Sequence, residues 1–118
     1  MLVENLFHHI PRELPAELFT DLLRTDQLRV ERIVSAGHTS PEDTWYDQAE
    51  QEWVLVLAGA ARLEFADGAS VALGAGDYLN IPAHRKHRVA WTDPSRPTVW
   101  LAIHHPAPTE SAIEEQPS

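Results

Sequence analysis

Six short runs rich in Val, Leu and aromatic residues follow one another over residues 52–105, and they constrain the fold more than any other feature. The runs are EWVLVLAG, ARLEF, SVALG, YLNIPA, HRVAW and TVWLAIHH. Turn-forming residues separate them, and the Asp67 and Gly68 pair predicts a tight hairpin between two of the runs. Short runs at this spacing, without a long helical pattern, are typical of a β-sandwich or barrel. The sequence therefore predicts an all-β fold.

The segment ELPAELFTDLLRT, nearer the start of the chain, fits two kinds of structure. Leu14, Leu18 and Leu22 recur at helical spacing, and Pro15 suits the first turn of a helix. The same residues also fit an irregular strand. We expect either a short helix or a strand at this position.

The stretch LRVERIVS alternates in a way that predicts a strand. Val30, Arg32 and Val34 share one of its faces, because alternate side chains of a strand point the same way. If that face meets the core, Arg32 is an inward charge that needs a carboxylate partner or a bound anion. Arg32 is therefore a pocket candidate, and binding of an acidic substrate and pairing with an inward acid both remain open.

Length and charge narrow the possible roles. The 118 residues suit one domain, which we place at 1–106, while the Pro, Glu and Ser content of 107–118 predicts a disordered tail. The net charge of -9 repels nucleic acids and anionic membrane surfaces. The chain has no Cys, no run long enough for a membrane helix and no pattern of a secretion signal. We expect a cytoplasmic protein that binds neither nucleic acid nor a membrane.

Two spaced residue sets stand within the predicted strands. The first set has the pattern Glu, six residues, Gly, with a Val-Leu pair before the last spacer, and it consists of Glu52, Val56, Leu57 and Gly59. The second set has the pattern Gly, five residues, Pro, four residues, His, and it consists of Gly76, Pro82 and His87. About 16 residues with one predicted hairpin separate the two sets.

With these two motifs, residues 52–91 resemble the cupin superfamily, and the short spacing between the motifs resembles that of small single-domain bacterial cupins. The resemblance covers somewhat less than half of the chain. It implies a jelly-roll β-barrel with a cavity inside. It also implies a divalent metal in the barrel and assembly as a homodimer through the N-terminal strands, as in many cupins.

The first motif departs from the family pattern. That pattern places His-X-His three or four residues before the Glu, which gives a metal site of three His and one Glu. In this chain those positions hold either Trp45 and Asp47 or Tyr46 and Gln48. Neither pair contains a His, so the resemblance does not transfer the full ligand set.

An altered metal site can still be formed from the remaining residues. The resemblance implies that Glu52 and His87 point into the barrel. Asp47 and Gln48 lie on opposite faces of their strand, so only one of them can join that group. The preferred ligands are Asp47, Glu52 and His87, with Gln48 as a substitute or neighbour. Oxygen-rich ligation favours Mn, Mg or Fe, and Zn also accepts one His with two carboxylates. We expect Mn, Fe or Zn.

Further candidates come from the second motif and the last run. His84 stands where the family has Gly, in the basic turn PAHRKH, and we expect it to be solvated. Trp91 stands where the family has Asn, and Trp91 and Trp100 are candidates for the lining of a ligand pocket. His104 faces the cavity if Trp100 does, because the two residues lie on the same strand face.

Two functions of different classes follow. The first is a small-molecule enzyme of isomerase or oxygenase type with a divalent metal in the barrel, in which His104 or Tyr46 acts as acid or base. The alternative is a non-catalytic binding or sensing cupin without metal, which the loss of His-X-His favours. The sequence names no substrate for either.

Overall fold

The computed structural model describes residues 1–106 and contains no helix in that range. The prediction of a disordered tail falls on 107–118, outside the described residues. None of the described residues forms a helix that is long and apolar enough to cross a membrane. The eight strands are β1 (Leu18–Arg24), β2 (Arg29–Ser35), β3 (Gln51–Ala58), β4 (Ala60–Phe65), β5 (Ser70–Gly74), β6 (Tyr78–Ile81), β7 (His87–Thr92) and β8 (Thr98–His105).

The strands form two antiparallel sheets. The larger sheet has the order β1-β2-β8-β3-β6, and the smaller has the order β5-β4-β7. The predicted hairpin joins β4 and β5, and the Gly68 amide donates a 2.9 Å hydrogen bond to the Phe65 carbonyl. The all-β prediction is confirmed, and each of the six predicted runs contains one strand.

The core lies between the two sheets. Each strand turns alternate residues inward, so the buried cluster takes members from both sheets. Its members are Val54, Val56, Ala61, Leu63, Phe65, Leu73, Ile81, Trp100 and Ala102. Burial of each larger apolar side chain contributes about 1.5 to 3 kcal/mol relative to exposure.

The ambiguous N-terminal segment forms a strand, so the helix alternative is wrong. Leu18 pairs with Val34 and Phe19 with Ile33 in the ladder between β1 and β2. Hydrogen bonding to a neighbouring strand outweighs the weak helical spacing of the leucines, because propensity is easily overridden by tertiary context. β1 is the edge of the larger sheet.

Gly59 allows a close approach between β3 and β8. Its φ of +88° lies in the left-handed region. A Cβ at this position would lie 2.6 Å from Thr98 Cα and 2.8 Å from the Pro97 carbonyl oxygen. Both facts require glycine, which gives a structural reason for the Gly that ends the first motif.

Candidate functional site

A cavity of about 440 Å³ opens between the sheets. Its inner wall is apolar and is formed by Ile33, Val54, Leu63, Ile81, Val89 and Trp100. Polar and charged side chains also line it, namely Glu17, Asp21, Arg24, Arg29, Glu31, Tyr46, Gln48, Glu52, His87 and His104. An apolar cavity with a few converging polar groups is the usual form of a small-molecule site.

The polar side is built first by the ladders of the larger sheet. Glu52 on β3 lies directly opposite His104 on β8, and both are buried. Glu31 on the next strand, β2, is opposite Ala102, so it is diagonal to His104 on the same face. His104 Nε2 lies 2.9 Å from Glu31 Oε1 and 3.8 Å from Glu52 Oε2. His104 therefore stands between two carboxylates.

The smaller sheet contributes His87, the first residue of β7. Its Nε2 lies 3.4 Å from Glu52 Oε1, and its Nδ1 donates to the Arg85 carbonyl at 2.9 Å. The ring is buried. Because Nδ1 is held by a backbone acceptor, the ring orientation and the direction of Nε2 are fixed.

The contact between His87 Nε2 and Glu52 requires a proton or a cation between the two groups. With the His87 proton on Nδ1, its Nε2 presents a lone pair to a carboxylate oxygen, which is repulsive unless a second proton or a cation intervenes. Burial of the ring opposes that second proton. The Glu52 contact, the Arg85 carbonyl and the Glu52 charge favour it, and together they raise the pKa of His87 above its ordinary value.

The altered first motif runs beside the start of β7. Tyr46 and His87 form an isolated antiparallel bridge, with N···O distances of 2.7 and 3.1 Å. The His84 amide then donates to the Gln48 carbonyl at 2.7 Å. This pairing turns Tyr46 and Gln48 toward the cavity.

Asp47 therefore points away from the cavity, and the preferred ligand set needs correction. Its carboxylate lies 2.8 Å from His84 Nδ1 on the protein surface, and both side chains are exposed. Strand alternation is the physical reason, because the residue between Tyr46 and Gln48 must face outward. Gln48 takes the inward place, and its Oε1 lies 3.2 Å from His104 Nδ1.

Tyr46 covers His87 at the side of the cavity. The two rings are tilted, with centroids 5.6 Å apart. Burial and the nearby charges of Glu17 and Glu52 raise the pKa of Tyr46 above its usual value, against a smaller opposing effect of the Ser40 hydroxyl. Tyr46 therefore keeps its proton at neutral pH and can donate a hydrogen bond into the cavity.

Of the two tryptophan candidates, only Trp100 lines the cavity. It is buried, and its Nε1 donates to Ser35 Oγ at 3.3 Å. Trp91 is 39% exposed and pairs with Arg62 on the outer face, so its prediction as a pocket residue is wrong. A β-bulge at Ala90 causes the error, since one extra residue reverses the alternation of β7.

Arg32 also lies outside the cavity. It is buried on the opposite face of β2, where its Nη1 donates to the carbonyls of Leu6 at 3.1 Å and His8 at 2.6 Å. The guanidinium thus holds the N-terminal segment, and the prediction of a pocket role for Arg32 is wrong. The face with Glu31 and Ile33 is the one that lines the cavity.

Glu31 is the site residue that the sequence interpretation missed. Alternation along β2 gives two faces, and it does not show which of them lines the cavity. The apolar side chains of Val30 and Val34 favoured the face that contains Arg32, and that face lies outside the cavity. Val34 is fully buried, but it lies on the outer side of the sheet. The pairing of β2 with β8, which places Glu31 beside His104, would have identified it.

The His and Glu side chains of the cluster are of types that bind divalent cations, but their arrangement does not form a complete metal site. Two ligands that each lie about 2.1 Å from a tetrahedral ion are about 3.4 Å apart. The distance of 3.4 Å between His87 Nε2 and Glu52 Oε1 matches that spacing. Within residues 1–106, however, no group of three or more His, Asp or Glu side chains is arranged so that it could hold a metal ion.

Comparison with known proteins agrees with this architecture. A family model described as "Cupin domain" matches residues 31–104, which is more than half of the chain. The chain belongs to the cupin family. The predicted jelly-roll fold is therefore confirmed for this cupin.

Solved structures extend the comparison. A protein of Ralstonia eutropha JMP134, described as a "putative mannose-6-phosphate isomerase", is 46% identical to this cupin with a TM-score of 0.86, and the match covers 91% of this chain and 100% of the other. A cupin superfamily protein of Desulfitobacterium hafniense DCB-2 is 21% identical with a TM-score of 0.69, and the match covers 83% and 84% of the two chains.

A DMSP lyase of Ruegeria pomeroyi DSS-3 is 22% identical with a TM-score of 0.64, and the match covers 75% of this chain and 46% of the lyase. At such identity the likeness shows the fold alone, since one fold carries many activities. No curated protein matches this cupin.

Proposed function

We propose that this cupin binds a small polar molecule in its barrel cavity and catalyses proton transfer within it, as an isomerase does. The observation that carries the proposal is the buried cluster of Glu31, Glu52, His87 and His104, which lines the cavity beside an apolar wall. Paired carboxylates and imidazoles on a cavity wall are the groups that remove a proton and return it elsewhere.

The roles follow from which atoms can reach a ligand. An isomerisation of this type removes a proton from the hydroxyl-bearing carbon beside a carbonyl and returns one to the former carbonyl carbon. The hydroxyl proton is transferred to the former carbonyl oxygen, so no external oxidant is needed. Glu52 and His104 lie on the cavity wall and serve as the base and acid pair. Tyr46, protonated at neutral pH, donates a hydrogen bond to the ligand oxygen. Gln48 orients His104 through Nδ1.

The similarity to the Ralstonia protein supports an isomerase over an oxygenase. That protein carries an isomerase description, and it is 46% identical over 91% of this chain. A hydroxyl-rich substrate of that general kind suits a cavity that combines polar and charged side chains with an apolar wall. The proposal stays at the level of the reaction class.

Deuterium exchange tests the catalytic step. The protein is incubated in D2O with a panel of small hydroxy-aldehydes, hydroxy-ketones and their phosphates, and each compound is analysed by mass spectrometry. An isomerase of this mechanism introduces one deuterium at the exchanging carbon. Glu52→Gln is expected to abolish the exchange, while His84→Gln, a change at the exposed histidine, should preserve it.

A divalent cation at the same cluster is a second candidate, with His87, His104, Glu52 and Glu31 as the residues that would hold Mn, Fe or Zn. The imidazole lone pair of His87 that faces a carboxylate favours this candidate. When bound, such an ion would polarise a ligand oxygen. No catalytic step is assigned to it, because the cluster is not arranged as a complete metal site.

Metal analysis distinguishes the two candidates. Protein purified without chelator or nickel resin is expected to carry about one ion per chain if the cluster is a metal centre, and Glu52→Gln and His87→Gln should lose it. His84→Gln is the matched control, since it removes an exposed imidazole outside the cavity. A metal-free and fully folded protein would leave the proton-transfer proposal and reject the metal site.

A non-catalytic binding cupin is the third possibility, favoured by one observation. Gln48 occupies the inward position of the altered motif and adds only a neutral oxygen to the cluster. Ligands that stabilise the protein in thermal unfolding without any deuterium exchange would select this function.

A further inference from the structure

Two arginines stand opposite each other at the mouth of the cavity. Arg24 at the end of β1 and Arg29 at the start of β2 are direct partners in the antiparallel ladder, and both line the cavity. Like charges in directly opposite positions destabilise a strand pair. The arrangement is therefore unfavourable unless a carboxylate of the protein or another anion relieves it.

The two arginines differ in what surrounds them. Arg24 Nη2 lies 3.0 Å from Asp21 Oδ2, so one carboxylate already balances it. Within residues 1–106, Arg29 has no carboxylate oxygen within 4.0 Å of its guanidinium. Arg29 is half-buried. A half-buried guanidinium without an acidic partner is suited to bind an anionic group from outside.

The position of Arg29 connects the mouth to the buried cluster. It lies directly opposite His104 in the ladder between β2 and β8, and it shares a strand face with Glu31. A group bound at Arg29 is thus next to the acid and base residues. The carboxylates of Glu17, Asp21, Glu31 and Glu52 also line the cavity. Those of Glu31 and Glu52 repel an anion from the cluster, so a charged ligand can enter the cluster only with its uncharged end.

We propose that Arg24 and Arg29 form an anion subsite for a carboxylate or phosphate at one end of the substrate. The substrate class is a short hydroxylated molecule with one terminal anionic group, whose carbonyl or hydroxyl part reaches Glu52 and His104. The inference rests on the proposed function, because it names the substrate class of the same cavity. Arg29 supplies a planar fork of donors that matches both anions.

Calorimetric binding tests the subsite with defined probes. Glycerol 3-phosphate and glycerate represent the two anions, and glycerol is the uncharged reference. The wild-type protein is expected to bind the two anions more tightly than glycerol. Arg29→Gln should weaken anion binding by about tenfold or more, and Arg24→Gln should weaken it less because Asp21 already balances that residue.

Arg62→Gln is the matched control. It removes the same charge from an exposed arginine of β4 that does not line the cavity, so it should change anion affinity by less than about twofold. Circular dichroism and urea unfolding establish that each variant folds. Equal anion binding by Arg29→Gln and wild type, or no anion binding by wild type, overturns the subsite.

Calorimetry and deuterium exchange together distinguish a wrong subsite from a wrong catalytic function. If Arg29→Gln binds anions normally while Glu52→Gln abolishes deuterium exchange, the subsite is wrong and the proton-transfer function stands. If Arg29 controls anion binding while no ligand exchanges deuterium, the subsite stands and the isomerase function is wrong. If the subsite is correct, Glu52→Gln should retain anion binding whether or not the protein is an isomerase.

Discussion

At the scale of single residues, the cluster depends on two histidines whose Nδ1 atoms already contact other groups of the protein. His87 Nδ1 donates to the Arg85 carbonyl, and His104 Nδ1 lies beside Gln48 Oε1. Each ring therefore directs Nε2 toward carboxylates. This arrangement fixes the direction in which a proton can be passed, and it makes the charge of His87 dependent on pH.

The stability of the metal-free protein should reflect the raised pKa of His87. A histidine whose pKa is higher in the folded state adds stability that is fully present below its unfolded pKa of about 6.5 and is lost as pH rises through the folded value. We expect the loss of unfolding free energy in His87→Gln to be larger near pH 6 than near pH 9. Urea unfolding across this range, with chelator present, measures it.

Glu52→Gln provides the control for that prediction. Without the Glu52 carboxylate, two of the three causes that raise the pKa of His87 are weakened. The Arg85 carbonyl remains, and burial of the ring still opposes protonation. The pH dependence attributable to His87 should then shrink or reverse. A His87→Gln effect that grows with pH would contradict the assignment.

Gly59→Ala should destabilise the fold by about 2 to 4 kcal/mol, since it combines backbone strain with a clash against backbone atoms. The added Cβ would lie 2.6 Å from Thr98 Cα. Gly68→Ala is the matched control, because Gly68 has a φ of +95° but no atom within 4 Å of the added Cβ. It should cost only about 1 to 2 kcal/mol, the strain alone. Equal losses in urea unfolding would refute the steric contribution.

The residues predicted from motif spacing and those missed differ in what determines their position. Glu52 and His87 lie at fixed motif positions, and both line the cavity. Glu31 enters the cluster only through the register of β2 against β8, which no local pattern contains. Asp47 and Gln48 could not be separated in the sequence, because the bridge from Tyr46 to His87 decides which of them faces inward.

At the scale of strands, one extra residue in β7 separates a correct prediction from a wrong one. Val89 pairs with Leu63, and the next pair is Trp91 with Arg62, so Ala90 has no partner. Regular alternation from His87 through Val89 would have placed Trp91 in the cavity. Bulges follow from the pairing of two strands, so alternation within one strand does not reveal them.

Because of the bulge, Trp100→Ala and Trp91→Ala should lower the free energy of unfolding by different amounts. Trp100→Ala removes a buried ring from the inner wall and should reduce the unfolding free energy by about 3 to 5 kcal/mol. Trp91→Ala removes a ring that is 39% exposed on the outer face, and it should cost about 1 kcal/mol or less. Urea unfolding of both variants gives the comparison. Similar losses would mean that Trp91 packs inside, against the bulge.

At the scale of the whole molecule, the fold was easier to predict than the site. The fold class follows from repeated short apolar runs and from glycines that turns require, such as Gly68. These signals are local. The cavity depends on how two sheets face each other, and its polar side draws residues from strands that are distant in sequence, such as Glu31 and His104.

The edge of the larger sheet leads to the last prediction, which concerns assembly. Within residues 1–106, β1 has one side without a partner strand, and it exposes Leu22 and Leu23, which are 43% and 53% exposed. An apolar edge strand is a template for pairing with another chain. We propose a homodimer that joins two copies through β1, which would place the mouths of both cavities near the interface because Asp21 and Arg24 belong to this strand.

Sedimentation equilibrium should then give twice the chain mass of 13.3 kDa at micromolar concentration. Leu23→Glu is expected to shift the protein toward the monomer, since it places a charge on the apolar edge. Tyr78→Glu introduces the same charge at a 66% exposed position on β6, at the opposite edge of the sheet, and should leave the dimer intact. A wild-type monomer at all concentrations, or equal dissociation of both variants, would place the interface elsewhere or remove it.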